Sequence, residues 1–321
     1  MTIHFPVSTP QNPLAIIESA QIALVEYTQA AQGALSENTL RALRADTELF
    51  TGWCITQGLS ALPALPNTVA AFVDALGINH AVASVRRYVA TVAHLHRAAK
   101  LPDPTREGIV RLALKRLARN KGTRQRQATG ITHETAGKII ESTGEERVID
   151  LRDNALVLVM RDLLARRSEV VALLAEDITF DKEGTATALI RKSKTDQAGE
   201  GRTLYIGPGA TAALKTWLAA AGIGSGPLFR SVSRGGNASN RQLDAGDISR
   251  ILKRRARAAG MNAQGISGHS CRVGMTQDLV AHGCDLPAIM QAGRWKTPVM
   301  PARYSEKLQA KRGAVASYYG S

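Results

Sequence analysis

Aromatic residues and cysteine are scarce in this chain of 321 residues. Phe, Trp and Tyr make up only 4% of it, whereas Ala, Leu, Arg and Val are abundant, and this balance favours helices over strands. The three cysteines, Cys54, Cys271 and Cys284, are an odd number without paired spacing. A disulfide framework is therefore not expected, and a reducing compartment is.

The sequence also lacks long apolar runs and a secretion signal. No run approaches the roughly 18 residues that a helix needs to span a bilayer. The N-terminus, with Pro6, Pro10 and Pro13, lacks the charged and apolar regions of a signal peptide. We expect no membrane partner and a cytoplasmic location.

Positive charge is what the sequence has in excess. Lys and Arg number 41 against 27 Asp and Glu, which gives a formal net charge of +14. Residues 1–130 carry 14 basic and 8 acidic side chains, and residues 131–321 carry 27 and 19. An excess of this size suits a polyanion such as nucleic acid, and both halves are expected to contact it. On charge alone, a basic protein without a polyanionic partner stays an alternative.

The length suits two domains. Residues 1–12 are polar and rich in proline, so they are predicted to form a flexible N-terminus. Apolar residues recur at helical spacing through residues 13–120, which predicts a helical first domain. Residues 121–130, KGTRQRQATG, have no large apolar side chain and three basic ones, which is typical of a linker. Residues 131–321 then form the second domain.

The second domain is predicted to combine helices with a small antiparallel sheet. Residues 149–164 are strongly apolar, which predicts a buried helix. Residues 186–190 and 203–206 are rich in β-forming residues and flank the sequence SKTDQAGEG, which predicts a hairpin. Residues 222–240 are rich in Gly and Ser and are predicted to form a loop.

Basic and small polar residues share helix faces in the first domain. Such faces suit a DNA major groove, where arginine bonds the guanine edge, although ordinary surface arginines give the same pattern. The residues concerned are Asn38, Arg41, Arg44, Ser84, Arg86 and Arg87. Basic residues that suit phosphate contacts follow at Lys115, Arg119, Lys121 and Arg124.

A group of chemically suggestive residues stands near the C-terminus. It comprises GHSCR at residues 268–272, then Trp295 and Tyr304. Cleaving DNA without a metal needs a nucleophile, cations beside the nonbridging phosphate oxygens and an acid for the departing sugar oxygen. Tyr304 suits the first task, because a cationic pocket favours the phenolate of a tyrosine.

Arginine suits the second task, since its fork bonds two phosphate oxygens and stays charged. Arg166 and Arg272 are the candidates. Lys194, in the predicted hairpin loop, suits protonation of the leaving oxygen, and His269 suits either a bond to the phosphate or deprotonation of Tyr304. Each of these residues, taken singly, is more often structural than catalytic.

Together these motifs resemble a known family. Residues 267–304, from SGHSCR to PARY, resemble the C-terminal signature of the tyrosine site-specific recombinases, the phage integrase family, and most closely its Cre-like members. Arg166 and Glu169 resemble the family's first arginine box, and SKT at 193–195 resembles its hairpin lysine. SENTLRALR and SVRRYVATVAHLHRAAKLP resemble its DNA-clamping helices, so the likeness extends from residue 36 to residue 304.

The resemblance implies a mainly α, two-domain, C-shaped DNA clamp. A helical bundle that binds DNA precedes a mixed α/β catalytic domain with a small antiparallel sheet. The implied site residues are Tyr304 as nucleophile of a 3′-phosphotyrosyl intermediate, Arg166 and Arg272 as phosphate clamps, Lys194 as general acid, His269 and Trp295 as hydrogen-bonding partners of the phosphate, and Glu169 as a supporting carboxylate. The implied groove contacts are Asn38, Arg41, Ser84 and Arg87.

The resemblance also implies the partners. They are double-stranded DNA with inverted-repeat target sites and further copies of the chain, as a homo-tetramer on two sites, without metal or cofactor. The implied setting is the bacterial nucleoid, in a phage or plasmid context, and the need for accessory proteins stays open. Gly246 lies where the Cre-like members have a base-contacting arginine, so Arg241 and Arg250 are kept as candidate DNA contacts.

Several alternatives stay open. A type IB topoisomerase or a telomere resolvase shares the nucleophile, and a non-catalytic DNA-binding protein shares the basic charge. Arg167 competes with Arg166 for the phosphate, although the spacing to Glu169 favours Arg166. Tyr318 and Tyr319 are rival nucleophiles, but they lack the family spacing.

Overall fold

The computed structural model describes most of the chain, namely residues 13–144, 146–193, 196 and 199–320. These residues form fourteen α-helices and five short strands in antiparallel sheets, so the predicted mainly α fold is confirmed. The chain divides into two compact units, Met1–Gln125 and Arg126–Ser321, and this division falls within the predicted linker at 121–130. None of the described helices is long and apolar enough to cross a membrane.

Five helices build the N-terminal unit. They are α1 (Pro13–Ala31), α2 (Glu37–Thr56), α3 (Pro66–Gly77), α4 (Val82–Ala98) and α5 (Gly108–Lys121). Ser36 is the N-cap of α2, and its hydroxyl accepts a hydrogen bond from the backbone N of Thr39 at 3.3 Å. Lys121, predicted to begin the linker, is instead the last residue of α5. Its ammonium donates to the carbonyl of Ile78 at 2.8 Å, which ties α5 to the end of α3.

Aromatic and imidazole side chains hold α2, α3 and α4 together. Phe50 and Phe72 meet edge to face in the buried core, with ring centroids 4.9 Å apart. The buried ring of His96 accepts from the backbone N of Ala64 at 2.9 Å and donates to the carbonyl of Val92 at 2.8 Å. Burial lowers the pKa of His96, so the neutral ring that this pattern requires is the stable form. The helices α2 and α4, which carry the candidate groove residues, therefore share one core.

The C-terminal unit has nine helices and five strands among its described residues. The helices are α6 (His133–Glu141), α7 (Val148–Asp162), α8 (Arg167–Val171), α9 (Pro208–Ala220), α10 (Ala245–Ala258), α11 (Ser270–Ala281), α12 (Leu286–Gly293), α13 (Val299–Ala310) and α14 (Ala314–Gly320). The strands are β1 (Ile178–Phe180), β2 (Ala186–Ile190), β3 (Arg202–Ile206), β4 (Arg230–Val232) and β5 (Ala238–Gln242). The apolar run at 149–164 forms the buried α7, as predicted.

The first sheet contains the predicted hairpin. In it β2 lies between β1 and β3, and both pairs are antiparallel. Ile178 lies opposite Ala188, and Ile190 lies opposite Arg202. Residues 191–201 therefore connect two antiparallel neighbours, and the predicted hairpin is confirmed.

The second sheet corrects a prediction. Residues 222–240 were predicted as a loop, but β4 and β5 pair there as a two-stranded hairpin. The residues of β5 are mostly polar and show no alternation, so no strand signal was present. The turn makes the pairing possible, because Gly236 adopts a φ of 84° and Ser233 donates its backbone N to the carbonyl of Asn237 at 2.9 Å.

A cluster of buried charges joins α7 to α10. Arg255, whose side chain is 7% exposed, donates to Asp153 at 2.6 Å and also to Asp150. Arg152 donates to Asp153 at 2.6 Å as well. Burial by itself raises the pKa of Asp150, but hydrogen bonds from Arg147 and Arg255 outweigh it, and the pKa is lowered. The cluster fixes α10 against the helix that leads into the candidate site.

Candidate functional site

Arg166 and Glu169 form an ion pair at the start of α8. Arg166 is the N-cap residue, and its Nη1 donates to Glu169 Oε1 at 2.5 Å. Its backbone N donates to Glu169 Oε2 at 2.9 Å. Since the Glu169 side chain is only 2% exposed, this carboxylate fixes both the main chain and the side chain of Arg166. Arg167, the rival arginine, is exposed and lies beside Gly268.

Arg272 lies in the first turn of α11 with its side chain buried. Its Nη1 donates to the carbonyl of Leu164, and its Nη2 donates to the carbonyl of Gly293. These two bonds engage two of the five N–H groups that a guanidinium offers. Burial lowers the pKa of Arg272 to about 9, and the charges of Arg166 and Arg294 act in the same direction. The guanidinium is still cationic at neutral pH, and a nearby anion would stabilise it.

Close backbone packing places the start of α11. A Cβ atom at Gly274 would lie 1.9 Å from the carbonyl oxygen of Ile131, so only glycine permits this approach. Ile131 also donates its backbone N to the carbonyl of Ser270 at 2.9 Å. His269 precedes the helix and is exposed, with its backbone N donating to Ser267 Oγ at 3.2 Å. The side chains of His269 and Arg272 therefore start from one fixed end of α11.

Trp295 contacts both Arg272 and Tyr304. The Cζ atom of Arg272 lies 4.1 Å from the centroid of the Trp295 ring, a cation–π contact. The Tyr304 ring lies 6.0 Å from the same ring, between centroids, at an angle of 68°. Tyr304 belongs to α13, and its backbone carbonyl accepts from Gln127 Nε2 and Gln277 Nε2, each at 3.1 Å. The indole thus joins the buried cation to the tyrosine.

A cavity of about 1000 Å³ opens beside these residues. Arg294 and Trp295 line one part of it, and Ser193, in the β2–β3 connection, and Arg202, the first residue of β3, line another. Lys194, the predicted general acid, lies outside the described residues. The cavity is large enough to admit part of a ligand next to the arginines.

Arg294 belongs to this cluster, although no motif identified it. Its side chain is 8% exposed, and its Nη2 donates to Glu169 Oε2 at 2.8 Å. Glu169 therefore binds two arginines, Arg166 and Arg294. The signal available in the sequence was the position of Arg294 between Gly293 and Trp295, but its partner lies 125 positions earlier.

Residues chosen from distant parts of the sequence thus lie together. They are Arg166, Glu169, Arg272, Trp295 and Tyr304. Tyr318 and Tyr319, the rival tyrosines, lie on α14 and are exposed. The described residues contain no group of three or more His, Cys, Asp or Glu side chains placed to hold a metal ion.

The candidate groove residues of α2 and α4 lie at or near the surface. Arg41 donates to Asn38 Oδ1 at 3.1 Å, and Arg44 is exposed on the same helix. Arg87 donates to Asp46 at 2.7 Å, and its own side chain is 51% exposed while that of Asp46 is 4% exposed. A buried carboxylate on α2 thus orients a surface arginine on α4.

The other candidate DNA contacts are also accessible. Ser84 is half-buried, and the exposed ones are Arg86, Lys115, Arg119, Lys121, Arg124, Arg241 and Arg250. Arg250 pairs with Asp247 on its own helix. Exposure is what a DNA contact requires, and surface arginines of any protein share it, so these assignments stay predictions.

This chain is similar to known proteins in sequence and in fold. The model of the phage integrase family matches residues 129–311. The integrase/recombinase xerD homolog of Selenomonas ruminantium is 32% identical over 302 residues, which cover 91% of this chain and 88% of that protein. Recombinase cre of Escherichia phage P1 is 26% identical over 304 residues, which cover 88% of each chain. Among solved structures, a lambda integrase tetramer bound to a Holliday junction has a TM-score of 0.62 at 15% identity, with coverage of 92% of this chain and 81% of that one.

Proposed function

Because the chain belongs to the phage integrase family of tyrosine recombinases, we propose that it is a site-specific recombinase that cleaves and rejoins DNA strands through Tyr304. The observation that carries this role is the contact of Tyr304 with Trp295, which itself stacks on the buried Arg272. A guanidinium next to a tyrosine brings a bound phosphate within reach of a nucleophile.

The charge of the site supports the same reaction. Three guanidinium groups, those of Arg166, Arg272 and Arg294, are grouped with the single carboxylate of Glu169, which leaves a net charge of +2 for these four side chains. A phosphodiester and an attacking phenolate together carry two negative charges. The four side chains therefore match the charge of the transition state.

In the proposed reaction, Tyr304 gives its phenolic proton to His269 or to water, its oxygen attacks phosphorus, and the bond from phosphorus to the 5′ oxygen of the deoxyribose breaks. A 3′-phosphotyrosyl ester forms, while Arg166 and Arg272 bind the nonbridging oxygens. Lys194 donates the proton that the leaving 5′ oxygen takes up. In rejoining, a 5′-hydroxyl of the partner strand attacks the ester and the tyrosine leaves, so the phosphodiester energy is conserved without a cofactor.

Three more side chains support this scheme. His269, at the exposed start of α11, and the indole N–H of Trp295 serve as hydrogen-bond donors to the phosphate. Glu169 does not touch the substrate in this scheme but holds Arg166 by its side chain and its backbone. Its role is to set the direction of the Arg166 fork.

The proposed partner is double-stranded DNA with inverted-repeat target sites, on which four copies assemble across two sites. The lambda integrase tetramer, which has this fold, supports such an assembly. The net charge of +14 supports contact with DNA by both units, the N-terminal one as a DNA-binding domain and the C-terminal one as the catalytic domain. The bacterial and phage sources of the relatives support a cytoplasmic, nucleoid-associated setting.

Trapping the covalent intermediate tests the role of Tyr304. The substrate is a duplex made from the inverted repeats beside the gene, nicked so that the short strand released by cleavage diffuses away. Wild-type protein should accumulate a protein–DNA adduct on a denaturing gel. Tyr304→Phe removes the attacking oxygen, so it should bind the duplex with unchanged affinity and form no adduct.

The rival tyrosines supply the matched controls. Tyr318→Phe and Tyr319→Phe should form the adduct at the wild-type rate. An adduct that persists in Tyr304→Phe would mean that another residue is the nucleophile. Wild-type protein that relaxes supercoiled DNA but never joins two target sites would be a type IB topoisomerase instead.

A further inference from the structure

Arg294 is a buried cation with fewer partners than its chemistry requires. Its side chain is 8% exposed, and its Nη2 donates to Glu169 Oε2 at 2.8 Å. In the part of the chain that the structure describes, the buried Nε and Nη1 atoms of Arg294 have no hydrogen-bond partner. Guanidinium N–H groups that have lost their hydration without a replacement destabilise the folded state.

The carboxylate that Arg294 uses is shared with another cation. Glu169 also accepts from the Nη1 of Arg166 at 2.5 Å and from its backbone N at 2.9 Å. Burial lowers the pKa of Arg294, Glu169 opposes this, and the charge of Arg166 adds to it. Arg272 is near enough that Arg166 and Arg294 both lower its pKa. The cluster is therefore short of negative charge.

The backbone at Arg294 is a second source of destabilisation. Its φ of 57° and ψ of 44° lie in the left-handed region, which glycine adopts at no steric cost and most other residues do not. A glycine here would also remove a buried, half-paired charge. Nη2 also donates to the carbonyls of Leu163 and Leu164 at 3.4 and 3.5 Å, but these bonds leave Nε and Nη1 without partners. The left-handed backbone does not favour an arginine here, and unfavourable features of this kind concentrate at functional sites.

We propose that Arg294 is a third arginine of the scissile-phosphate site and acts as a positioning residue on Glu169 and Arg166. By holding Oε2 of Glu169, it keeps Oε1 directed at Arg166, so the Arg166 fork is set before the phosphate arrives. Its uncompensated charge adds to the field that stabilises the transition state, and the phosphodiester compensates that charge in return. The inference rests on the proposed function, because it requires a phosphate at this site.

Arg294→Gly separates this role from a merely structural one. Glycine suits the left-handed backbone and removes a cation with two unpartnered nitrogens, while the buried Glu169 keeps its bonds from the backbone N and the Nη1 of Arg166. The thermal midpoint of the variant should therefore equal or exceed that of the wild type. The rate of adduct formation on the nicked duplex should nevertheless fall about 100-fold, with DNA affinity unchanged. Arg294→Lys keeps the charge without the fork and should lie between the two.

Lys100→Gly is the matched control. Lys100 also has a positive φ, 56°, and a positive charge, but it lies in the N-terminal unit and pairs with Glu26. This variant should form the adduct at the wild-type rate. If it does, the slow cleavage of Arg294→Gly cannot be explained merely by replacing a cationic residue of positive φ with glycine.

A methylphosphonate at the scissile position gives a second readout. It replaces a charged nonbridging oxygen with a methyl group, so the substrate carries no negative charge for Arg294 to stabilise. On this substrate the deficit of Arg294→Gly relative to wild type should shrink to about tenfold or less. A purely structural role would give the same deficit on both substrates.

Three results would overturn the inference. They are wild-type cleavage by Arg294→Gly, a parallel loss of thermal stability and cleavage in that variant, and an equal deficit on the charged and neutral substrates. A wild-type protein that forms no adduct would overturn the proposed function, and this inference with it. Adduct formation by the wild-type protein therefore distinguishes failure of this inference from failure of the proposed function.

Discussion

Gly293 fits between Arg272 and Trp295 because it has no side chain. Its carbonyl accepts from Arg272, and a Cβ atom at this position would lie 1.8 Å from Cζ3 of Trp295. Gly293→Ala should therefore move the indole off the guanidinium. Adduct formation, measured in single-turnover cleavage of the nicked duplex, should slow about 100-fold, while DNA affinity in a fluorescence titration stays unchanged.

Gly137→Ala is the control for this substitution. Gly137 lies in α6, and a Cβ atom there would have nothing within 4 Å. Alanine should raise the free energy of unfolding by about 0.5–1 kcal/mol, because glycine is unfavourable inside a helix, and leave cleavage unaffected. If Gly293→Ala cleaved at the wild-type rate, the contact of Trp295 with Arg272 would not matter for the reaction.

The sequence allowed some of the site's residues to be predicted and not others. Tyr304 and Arg272 could be named as candidates because phosphodiester cleavage requires their residue types and the family signature spaces them, and the structure brings both against Trp295. Arg294 was not, since its role depends on Glu169, 125 positions away, and on a positive φ that no local pattern indicates. Asp46 was missed for a similar reason, because its bond to Arg87 spans 41 positions.

Two hydrogen bonds to the backbone carbonyl of Tyr304 hold the helix α13 in place. The Tyr304 carbonyl accepts from the side-chain amides of Gln277 on α11 and Gln127, each at 3.1 Å. Gln277→Glu replaces an N–H donor with an oxygen of the same shape, which repels that carbonyl. Adduct formation should slow about tenfold, since the attacking oxygen loses its fixed position, and DNA affinity should stay the same.

Gln309→Glu serves as the control for charge. Gln309 is exposed on the same helix, so the substitution adds one negative charge to α13 without removing a bond to Tyr304. This variant should cleave at the wild-type rate. If the two glutamate variants were equally slow, charge rather than the lost hydrogen bond would be responsible.

The helices and strands with a regular apolar pattern could be predicted from the sequence, and those without one could not. The helix α7 and the β2–β3 hairpin follow from periodicity and from a loop rich in turn residues. The β4–β5 hairpin does not, because its second strand is polar and its pairing depends on the backbone of Gly236. The close approach of α11 to Ile131 at Gly274 also needed coordinates, since a glycine inside a helix has several explanations.

The whole molecule carries a net charge of +14, so its affinity for DNA should fall steeply with salt. Lys115 and Arg119 are exposed on α5, where we predict phosphate contacts. A plot of log K against log salt concentration has a negative slope, and removing one phosphate contact lowers the magnitude of that slope by about 0.9. Lys115→Ala and Arg119→Ala should each show this change, measured by titration of a target duplex at several salt concentrations, and should weaken binding to all sequences alike.

Arg116→Ala is the matched comparison on the same helix. Arg116 donates to Asp74 on α3 at 2.6 Å, so its charge already has a partner within the protein. Its removal should change the salt slope less than that of Lys115 or Arg119. Equal slopes for all three variants and the wild type would mean that this face of α5 does not touch DNA.

Composition and length gave predictions for the molecule as a whole. The excess of positive charge indicated a nucleic-acid partner, and the segment at 121–130 contains the division between the two units after Gln125. Individual DNA contacts remain predictions, because a surface arginine that meets a phosphate and one that meets only water have the same sequence and the same exposure. The target sequence itself is a property of the complex with DNA.

The charged cluster between α7 and α10 has a consequence for temperature. Arg255 and its partners Asp150 and Asp153 are almost fully buried, so at room temperature their loss of hydration offsets much of their mutual attraction. Heating makes hydration of charges less favourable, whereas hydrophobic stabilisation per unit area levels off. As the temperature rises, the C-terminal unit therefore depends more on this cluster and less on its apolar core for its resistance to heat.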